Sequence, residues 1–275
     1  MSTRNEKYVF EGSERELSSM TKDLEEFHND VGLSSMWSGV SSMVDTLRDS
    51  ESVTRSTSRR TFLMGTGAAM VGGAALVAIG ATPGLAAATT RAESRLHLTG
   101  ATTFPPAGYS GDLAVAAVAA SLENLAVFAY NAGLTAATAG KLGAVPAAVG
   151  TFAATAKSQH TQHAAAWNAV LRQNGKKAIT ETNPTLTPTI QADFAKVGNV
   201  TQLAQLALAL ESVAAATYQA ETSKLKSTAA IGLSASIEPV EMQHIAILYY
   251  VLGMYPGSQT SAGTPLAFST TSAAA

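Results

Sequence analysis

Apolar residues recur every three or four positions over four long stretches in the second half of the chain. This spacing places them on one face of an α-helix, and no stretch shows the alternation of a β-strand. Helix start and stop residues delimit the stretches, so the pattern predicts long helices over residues 113–132, 146–173, 201–224 and 233–252. A proline-containing connection over 176–198, with a short helix near 190–197, joins the second long helix to the third. This predicts an all-α fold, a four-helix bundle with one long crossover connection.

One proline falls inside the fourth predicted helix. Pro239 lies two residues before Glu241 and removes a helical hydrogen bond. The sequence therefore predicts either a helix that starts near Glu238 or a helix that kinks there.

The first 58 residues have a different character from the rest, because they are polar, acidic and rich in serine. Such a composition cannot bury enough apolar surface to build a sizeable core. We expect residues 1–58 to be disordered or partly helical, and the tail over 256–275, rich in Ser, Thr, Gly and Pro, to be extended.

Between these parts lies a segment with the layout of an export signal. Arg59 and Arg60 precede an uncharged run from Thr61 to Thr90, which ends in small residues that allow cleavage near Ala88. The arginine pair favours the twin-arginine route and makes its export machinery an expected partner. The alternative is an uncleaved membrane anchor, because the run is long enough to span a bilayer. Both interpretations of residues 59–88 place the rest of the chain outside the cytoplasm.

The lead before this segment is long for a signal. A later start, for instance at Met43, and a real cytoplasmic extension both account for it.

Composition excludes several kinds of site and partner. The 275 residues include no cysteine, which excludes disulfides, thiolate metal sites and cysteine nucleophiles. The formal net charge is −2, so the chain has no basic footprint for nucleic acid. We expect contact with a membrane only through residues 59–88, and a homo-oligomer remains open.

Two predicted helices carry the same motif around a lone glutamate. The first contains Glu123 in "ASLENLAVFAY", and the third contains Glu211 in "ALESVAAATY". Both read Leu-Glu-x-x-Ala-x-x-x-Tyr, and the tyrosines, Tyr130 and Tyr218, lie two turns further along the same face. The copies are 88 positions apart, which predicts a repeat of two helix hairpins.

The other two helices carry the histidines. His160 and His163 lie on the second helix, and Glu241 and His244 lie on the fourth. A spacing of three places both side chains of each pair on one helix face.

The three glutamates have few cations nearby in sequence, with Lys157 on the second helix among the main available partners. A buried carboxylate is costly unless it is paired, hydrogen-bonded or bound to a metal. Imidazole and carboxylate together suit iron, manganese or zinc. The alternative is a metal-free polar network of these Glu and His residues with Lys157.

One glutamate on each of two helices, with a Glu-x-x-His pair on each of the other two, is the di-metal pattern of ferritin-like bundles. Residues 100–255 resemble that superfamily, in particular exported bacterial ferritin-like domain proteins with twin-arginine signals. The resemblance implies iron as the cofactor and five metal ligands, namely Glu123, His163, Glu211, Glu241 and His244, and His160 completes the candidate set. It also implies ferroxidase or oxidase chemistry, whereas a non-catalytic envelope scaffold is the alternative.

His160 departs from the family pattern, which has a glutamate at that position. A neutral ligand replaces a bridging carboxylate, so we expect two divalent ions to bind less tightly. A mononuclear site, or a nitrogen-preferring metal such as zinc or copper, becomes credible. We expect Tyr130 and Tyr218 to bond the carboxylates and Trp167 to serve packing.

Overall fold

The computed structural model describes residues 13–54 and 104–254, and every regular element in these ranges is helical. The predicted all-α fold is therefore confirmed. The arginine pair, the segment 59–88 and the tail over 256–275 lie outside the described residues. The elements are α1 (Glu14–Phe27), a π-helical turn (His28–Gly32), α2 (Leu33–Thr54), α3 (Asp112–Thr138), α4 (Ala147–Gln173), α5 (Thr187–Phe194), α6 (Val200–Thr222) and α7 (Thr228–Val251).

The four long helices form two hairpins. Helix α3 packs along α4, and α6 packs along α7, with a short connection in each pair that makes its helices antiparallel. The hairpins meet where α3 contacts α6. The crossover from α4 to α6 contains the short helix α5, as the sequence predicted.

Side-chain caps fix where the second hairpin begins. Asn199 accepts a hydrogen bond from the backbone N–H of Gln202 at the start of α6, and Ser227 accepts one from Ala230 at the start of α7. Asp112 accepts hydrogen bonds from the backbone N–H groups of Lys226 and Ser227, so the starts of α3 and α7 are joined. Caps of this kind satisfy amides that have no partner inside the helix.

Helix ends differ from the prediction in two places. Helix α3 continues past Gly133 to Thr138, and a Cβ at Gly133 would lie 3.0 Å from the Leu203 side chain on α6. This glycine therefore serves close helix packing rather than helix termination. Helix α7 begins at Thr228 and contains Pro239 in its interior, so a start near Glu238 is wrong.

Two described helices, α3 and α6, are long and apolar enough to cross a membrane. Both belong to the bundle, and each carries one of the repeated glutamates. Because core helices of water-soluble proteins pass the same test, this property is weak evidence for a membrane location.

The acidic N-terminal region contributes two helices that pack on the bundle. Helices α1 and α2 both contact α4 and α7, and they bury a narrow apolar stripe that consists of Leu17, Leu24, Met36, Val40 and Met43. Tyr250 of α7 holds the start of α1, because its hydroxyl accepts from the Ser13 N–H and donates to Glu16. The segment therefore shares the core of the bundle instead of needing one of its own.

Helix α2 approaches α7 closely at Gly39. A Cβ at this position would lie 3.0 Å from both the backbone nitrogen and the Cα of Leu233. Real Cβ atoms rarely come so close to backbone, so a side chain here would have to push the two helices apart by a few tenths of an ångström. Gly32, by contrast, has room for a Cβ, with its nearest neighbours at 3.7 Å.

We predict that Gly39→Ala lowers the free energy of unfolding by about 1–3 kcal/mol, because the methyl group must displace backbone. Gly32→Ala is the matched control and should be neutral or slightly stabilising, since alanine favours helix. Urea unfolding of both variants measures the difference. Equal stability of the two variants would contradict the close approach of α2 to α7.

Candidate metal centre

The six residues predicted as ligands converge in the middle of the bundle. Each is at most 2% exposed, and each long helix supplies at least one. Helix α3 contributes Glu123, α4 contributes His160 and His163, α6 contributes Glu211, and α7 contributes Glu241 and His244. Residues 121 positions apart in sequence thus share one polar cluster.

His160 lies at the centre of this cluster, between the two repeated glutamates. Its Nδ1 is 2.8 Å from an oxygen of Glu123, and its Nε2 is 3.1 Å from an oxygen of Glu211. An imidazole can donate from both nitrogens only when it is protonated. The geometry is therefore that of an imidazolium that donates one hydrogen bond to each carboxylate.

Glu241 lies between the other two histidines. Its Oε1 is 3.0 Å from Nδ1 of His163, and its Oε2 is 3.4 Å from Nδ1 of His244. One carboxylate thus presents one oxygen to each half of the cluster, which is the arrangement of a bridging ligand.

The cluster contains two overlapping groups of possible ligands. One consists of Glu123, His160, His163 and Glu241, and the other of His160, Glu211, Glu241 and His244. Within each group, one ligand atom per residue lies within 4.8 Å of all the others. The two groups share His160 and Glu241, so the arrangement has room for two ions or for one.

Several ligand atoms are buried without a hydrogen bond, although charged neighbours lie close. They are Nδ1 of His163, Nδ1 of His244, Oε2 of Glu211 and both carboxylate oxygens of Glu241. Their neighbours lie at 3.0 to 3.4 Å, but outside the directions that a hydrogen bond requires. Nitrogen and oxygen atoms that lie this close together without hydrogen bonds between them fit a metal ion.

The tyrosines of the repeated motif connect the two hairpins. Tyr130 of α3 donates a hydrogen bond to Glu211 of α6, and Tyr218 of α6 donates one to Glu123 of α3. This exchange follows the internal repeat. Each tyrosine fixes the orientation of the other copy's carboxylate.

Trp167 does more than pack. Its indole N–H donates to the hydroxyl of Tyr218 at 2.8 Å, which extends the chain of hydrogen bonds to Glu123. Lys157 remains outside the cluster, where its ammonium contacts the side chain of Asn131. The alternative polar network was therefore wrong to include Lys157.

Charged neighbours inside the cluster outweigh the effect of burial on the pKa values of its residues. Burial would raise the pKa of Glu123, but His163 and His160 lower this pKa to about 2. Burial would lower the pKa of His163, but Glu123 and Glu241 raise it to about 9. The neighbouring carboxylates likewise raise the pKa values of His160 and His244 despite burial. Charges inside the cluster thus favour ionised Glu123 and protonated histidines in the absence of metal.

Sequence reasoning missed two residues at the centre. Gln159 accepts a hydrogen bond from Nε2 of His244 at 2.8 Å, which leaves Nδ1 of that histidine to face the cluster. His28 of the π-helical turn is 2% exposed, and its ring lies 5.4 Å from that of His163. Burial, followed by the charge of His163, lowers the pKa of His28 to about 4. The stripe of Leu17, Leu24 and His28 at helical spacing was the signal for it.

Two clefts between α3 and α6 lead toward the cluster. One is lined by Glu123 and His160 together with apolar residues of both helices. The other is lined by Tyr130 and Phe152, and its remaining walls are almost entirely apolar. Their free volumes are about 20 and 60 Å³, which is room for molecules of about the size of water.

Comparison with known proteins agrees with this geometry. A family model described as a ferritin-like domain matches residues 111–254, just over half of the chain, and the chain belongs to this family. The superfamily resemblance indicated by the motifs is thus confirmed. No curated protein and no solved structure matches the chain.

We predict that the metal-free protein is most stable near pH 6.5. His28 has a pKa lowered to about 4, so its contribution is complete above about 6.5 and is lost as the pH falls through about 4. His163 has a raised pKa, so its contribution is complete below about 6.5 and is lost as the pH rises through about 9. Glu123 has a lowered pKa, so its contribution is complete above about 4.5 and is lost as the pH falls through about 2. Urea unfolding across these pH ranges measures the slopes.

The control is His163→Gln, in which the loss of stability between pH 6.5 and 9 should be smaller. A metal-free protein whose free energy of unfolding does not change over that interval would contradict the ion-pair assignment.

Proposed function

We propose that this member of the ferritin-like domain family binds metal, iron in particular, at the cluster of Glu123, Glu211, Glu241 and the three histidines of the bundle. The observation that carries this proposal is the convergence of buried ligand atoms that have no hydrogen-bond partner. In a folded protein such atoms are rare, because each costs about 1–3 kcal/mol when unsatisfied.

The types of ligand in the cluster support iron, and other ions would compete for the same site. Three carboxylates and three imidazoles suit iron, manganese and zinc, and nitrogen-rich sites also accept copper. His160 occupies the place of a carboxylate, so the cluster has one negative charge fewer than a site with four carboxylates. We therefore propose that it holds one ion more tightly than the second.

The residues of the cluster have distinct tasks in this proposal. Glu241 serves both halves, and Tyr130 and Tyr218 hold the carboxylates of the repeated motif in place. Bound iron would supply electron transfer to dioxygen or peroxide, which makes oxidase or ferroxidase activity the proposed reaction class. The apolar clefts suit the entry of a small, uncharged molecule.

One observation favours a second candidate, a bundle that works as an envelope scaffold without metal. His160 hydrogen-bonds Glu123 and Glu211, and His163 lies 3.0 Å from Glu241, so each carboxyl group has an imidazole beside it when no ion is bound. Metal content after purification without added metal separates the two candidates.

We further propose export by the twin-arginine route, on the basis of Arg59, Arg60 and the uncharged run after them. This route carries folded proteins, so the precursor can load metal before it leaves the cytoplasm. Helices α1 and α2 precede the segment 59–88 and pack on the bundle that follows it. This packing therefore belongs to the folded precursor in the cytoplasm, before the segment enters a membrane.

We predict that Glu241→Gln reduces iron binding more than Glu211→Gln does. Glu241 belongs to both ligand groups, whereas Glu211 belongs to one and leaves the group of Glu123 intact. The expected stoichiometry is close to zero in the first variant and at most one ion per chain in the second. Metal analysis of equilibrated, desalted protein gives both values.

His160→Glu completes the series, because it restores the fourth carboxylate and should raise iron stoichiometry toward two per chain. Glu221→Gln, on α6 and paired with Lys224 outside the cluster, is the matched control for loss of a carboxylate. Metal content that is the same in all four variants and the parent would contradict a metal site here.

For export, we predict that replacing both Arg59 and Arg60 with lysine retains the full-length chain in the cytoplasm. The parent chain should appear outside the cytoplasm as a shorter form, cut near Ala88. Cell fractionation with a C-terminal tag measures both. Identical distribution of parent and variant would contradict the twin-arginine route and leave the metal proposal untouched.

A further inference from the structure

The N-terminal helices cover the side of the bundle from which the histidines come. Helices α4 and α7 carry His160, His163 and His244, yet they touch each other only slightly. Helices α1 and α2 lie against both of them, and Gly39 brings α2 into backbone contact with α7. The seam between α4 and α7 is thus closed by a segment that the ferritin-like match, over 111–254, does not include.

The junction between α1 and α2 is the π-helical turn, and it places His28 beside the cluster. The backbone N–H of Leu33 donates to the carbonyl of His28, a bond that spans five residues instead of four. Such π-helical turns are rare overall, and many of those that occur lie at functional sites. His28 continues the buried stripe of Leu17, Thr21 and Leu24, so α1 directs it inward.

His28 is polar, although its buried position on this face could be filled by an apolar side chain. It is 2% exposed, and its Nε2 is buried without a hydrogen-bond partner. An unsatisfied buried polar atom costs about 1–3 kcal/mol, and a leucine or phenylalanine would avoid that cost. The side chain of Asn29 hydrogen-bonds the imidazole, so Nε2 is the atom that is left without a partner.

The position of the ring fits a ligand of the same ion as His163. The two ring centroids are 5.4 Å apart, between the 5.0 Å of His160 and His244 and the 5.9 Å of His160 and His163. Metal–nitrogen bonds of about 2 Å place the centroids of two imidazoles on one ion roughly 5 Å apart. His28 belongs to neither group of ligand atoms within 4.8 Å, so it stands at the edge of the cluster before metal binds.

We propose that His28 is a further metal ligand, which the N-terminal helices supply to the His163 half of the centre. This inference rests on the proposed metal binding. It assigns the helices a role in the site itself, because the centre with α1 and α2 in place has four imidazoles and three carboxylates.

The test compares the full chain with His28→Phe and His28→Gln, each loaded with Co²⁺. Phenylalanine keeps the ring volume, and glutamine keeps a polar side chain if phenylalanine prevents folding. X-ray absorption counts the imidazoles on the ion, and competition with a chelator gives its affinity. We expect the parent to have one imidazole more than either variant and to bind at least roughly tenfold more tightly.

Leu24→Ala is the matched control, because it removes a buried side chain of α1 but no nitrogen. It should keep the imidazole count of the parent even where it loosens α1. An equal count in the parent and the two His28 variants overturns the proposal, whether or not affinity changes. A parent chain that binds no Co²⁺ or Fe²⁺ at all overturns the proposed function instead.

Discussion

The structure depends on how three carboxyl groups are accommodated in the core of an alanine-rich bundle. Glu123, Glu211 and Glu241 are each at most 2% exposed, and isolated charges at such depth would cost far more than a domain's net stability. Three histidines lie beside them, and His160 hydrogen-bonds both Glu123 and Glu211. The same cluster that stabilises the metal-free fold is therefore the one that offers ligands. A metal ion and the imidazolium protons compete for the same lone pairs, so binding an ion must release protons.

The internal repeat makes the centre nearly symmetrical. His160 breaks this symmetry. Each tyrosine holds the glutamate of the other hairpin, so neither hairpin completes the site alone. At the position equivalent to Glu241, however, helix α4 has a histidine. Trp167 adds a second difference, because it donates to Tyr218. The two halves thus share an architecture but differ in charge and in hydrogen bonding.

The sequence predicted the bundle and its six central residues because both follow from helical spacing. The copied motif around Glu123 and Glu211 and the two histidine pairs are local signals, and each needs only a helix to bring its members onto one face. The packing of α1 and α2 could not be predicted from composition, since the segment is polar on average. Its apolar stripe is narrow, and whether it is buried depends on the seam between α4 and α7, which only the tertiary structure shows. Gln159 gave no signal either, because a glutamine next to a histidine is common on exposed helix faces.

The two sides of the bundle now have different roles. On the α3–α6 side, small clefts of about 20 and 60 Å³ are lined by Glu123, His160 and Tyr130 together with mostly apolar residues. Between α4 and α7, the N-terminal helices exclude solvent and bring His28 next to His163. A cut near Ala88 would separate these helices from the bundle in the covalent chain. The seam over His163 would then be held by noncovalent packing alone, and α1 and α2 bury only a narrow stripe. Under the export proposal, the precursor and the processed chain would therefore differ in the metal centre itself, with the histidine side covered before cleavage and open once the helices are lost.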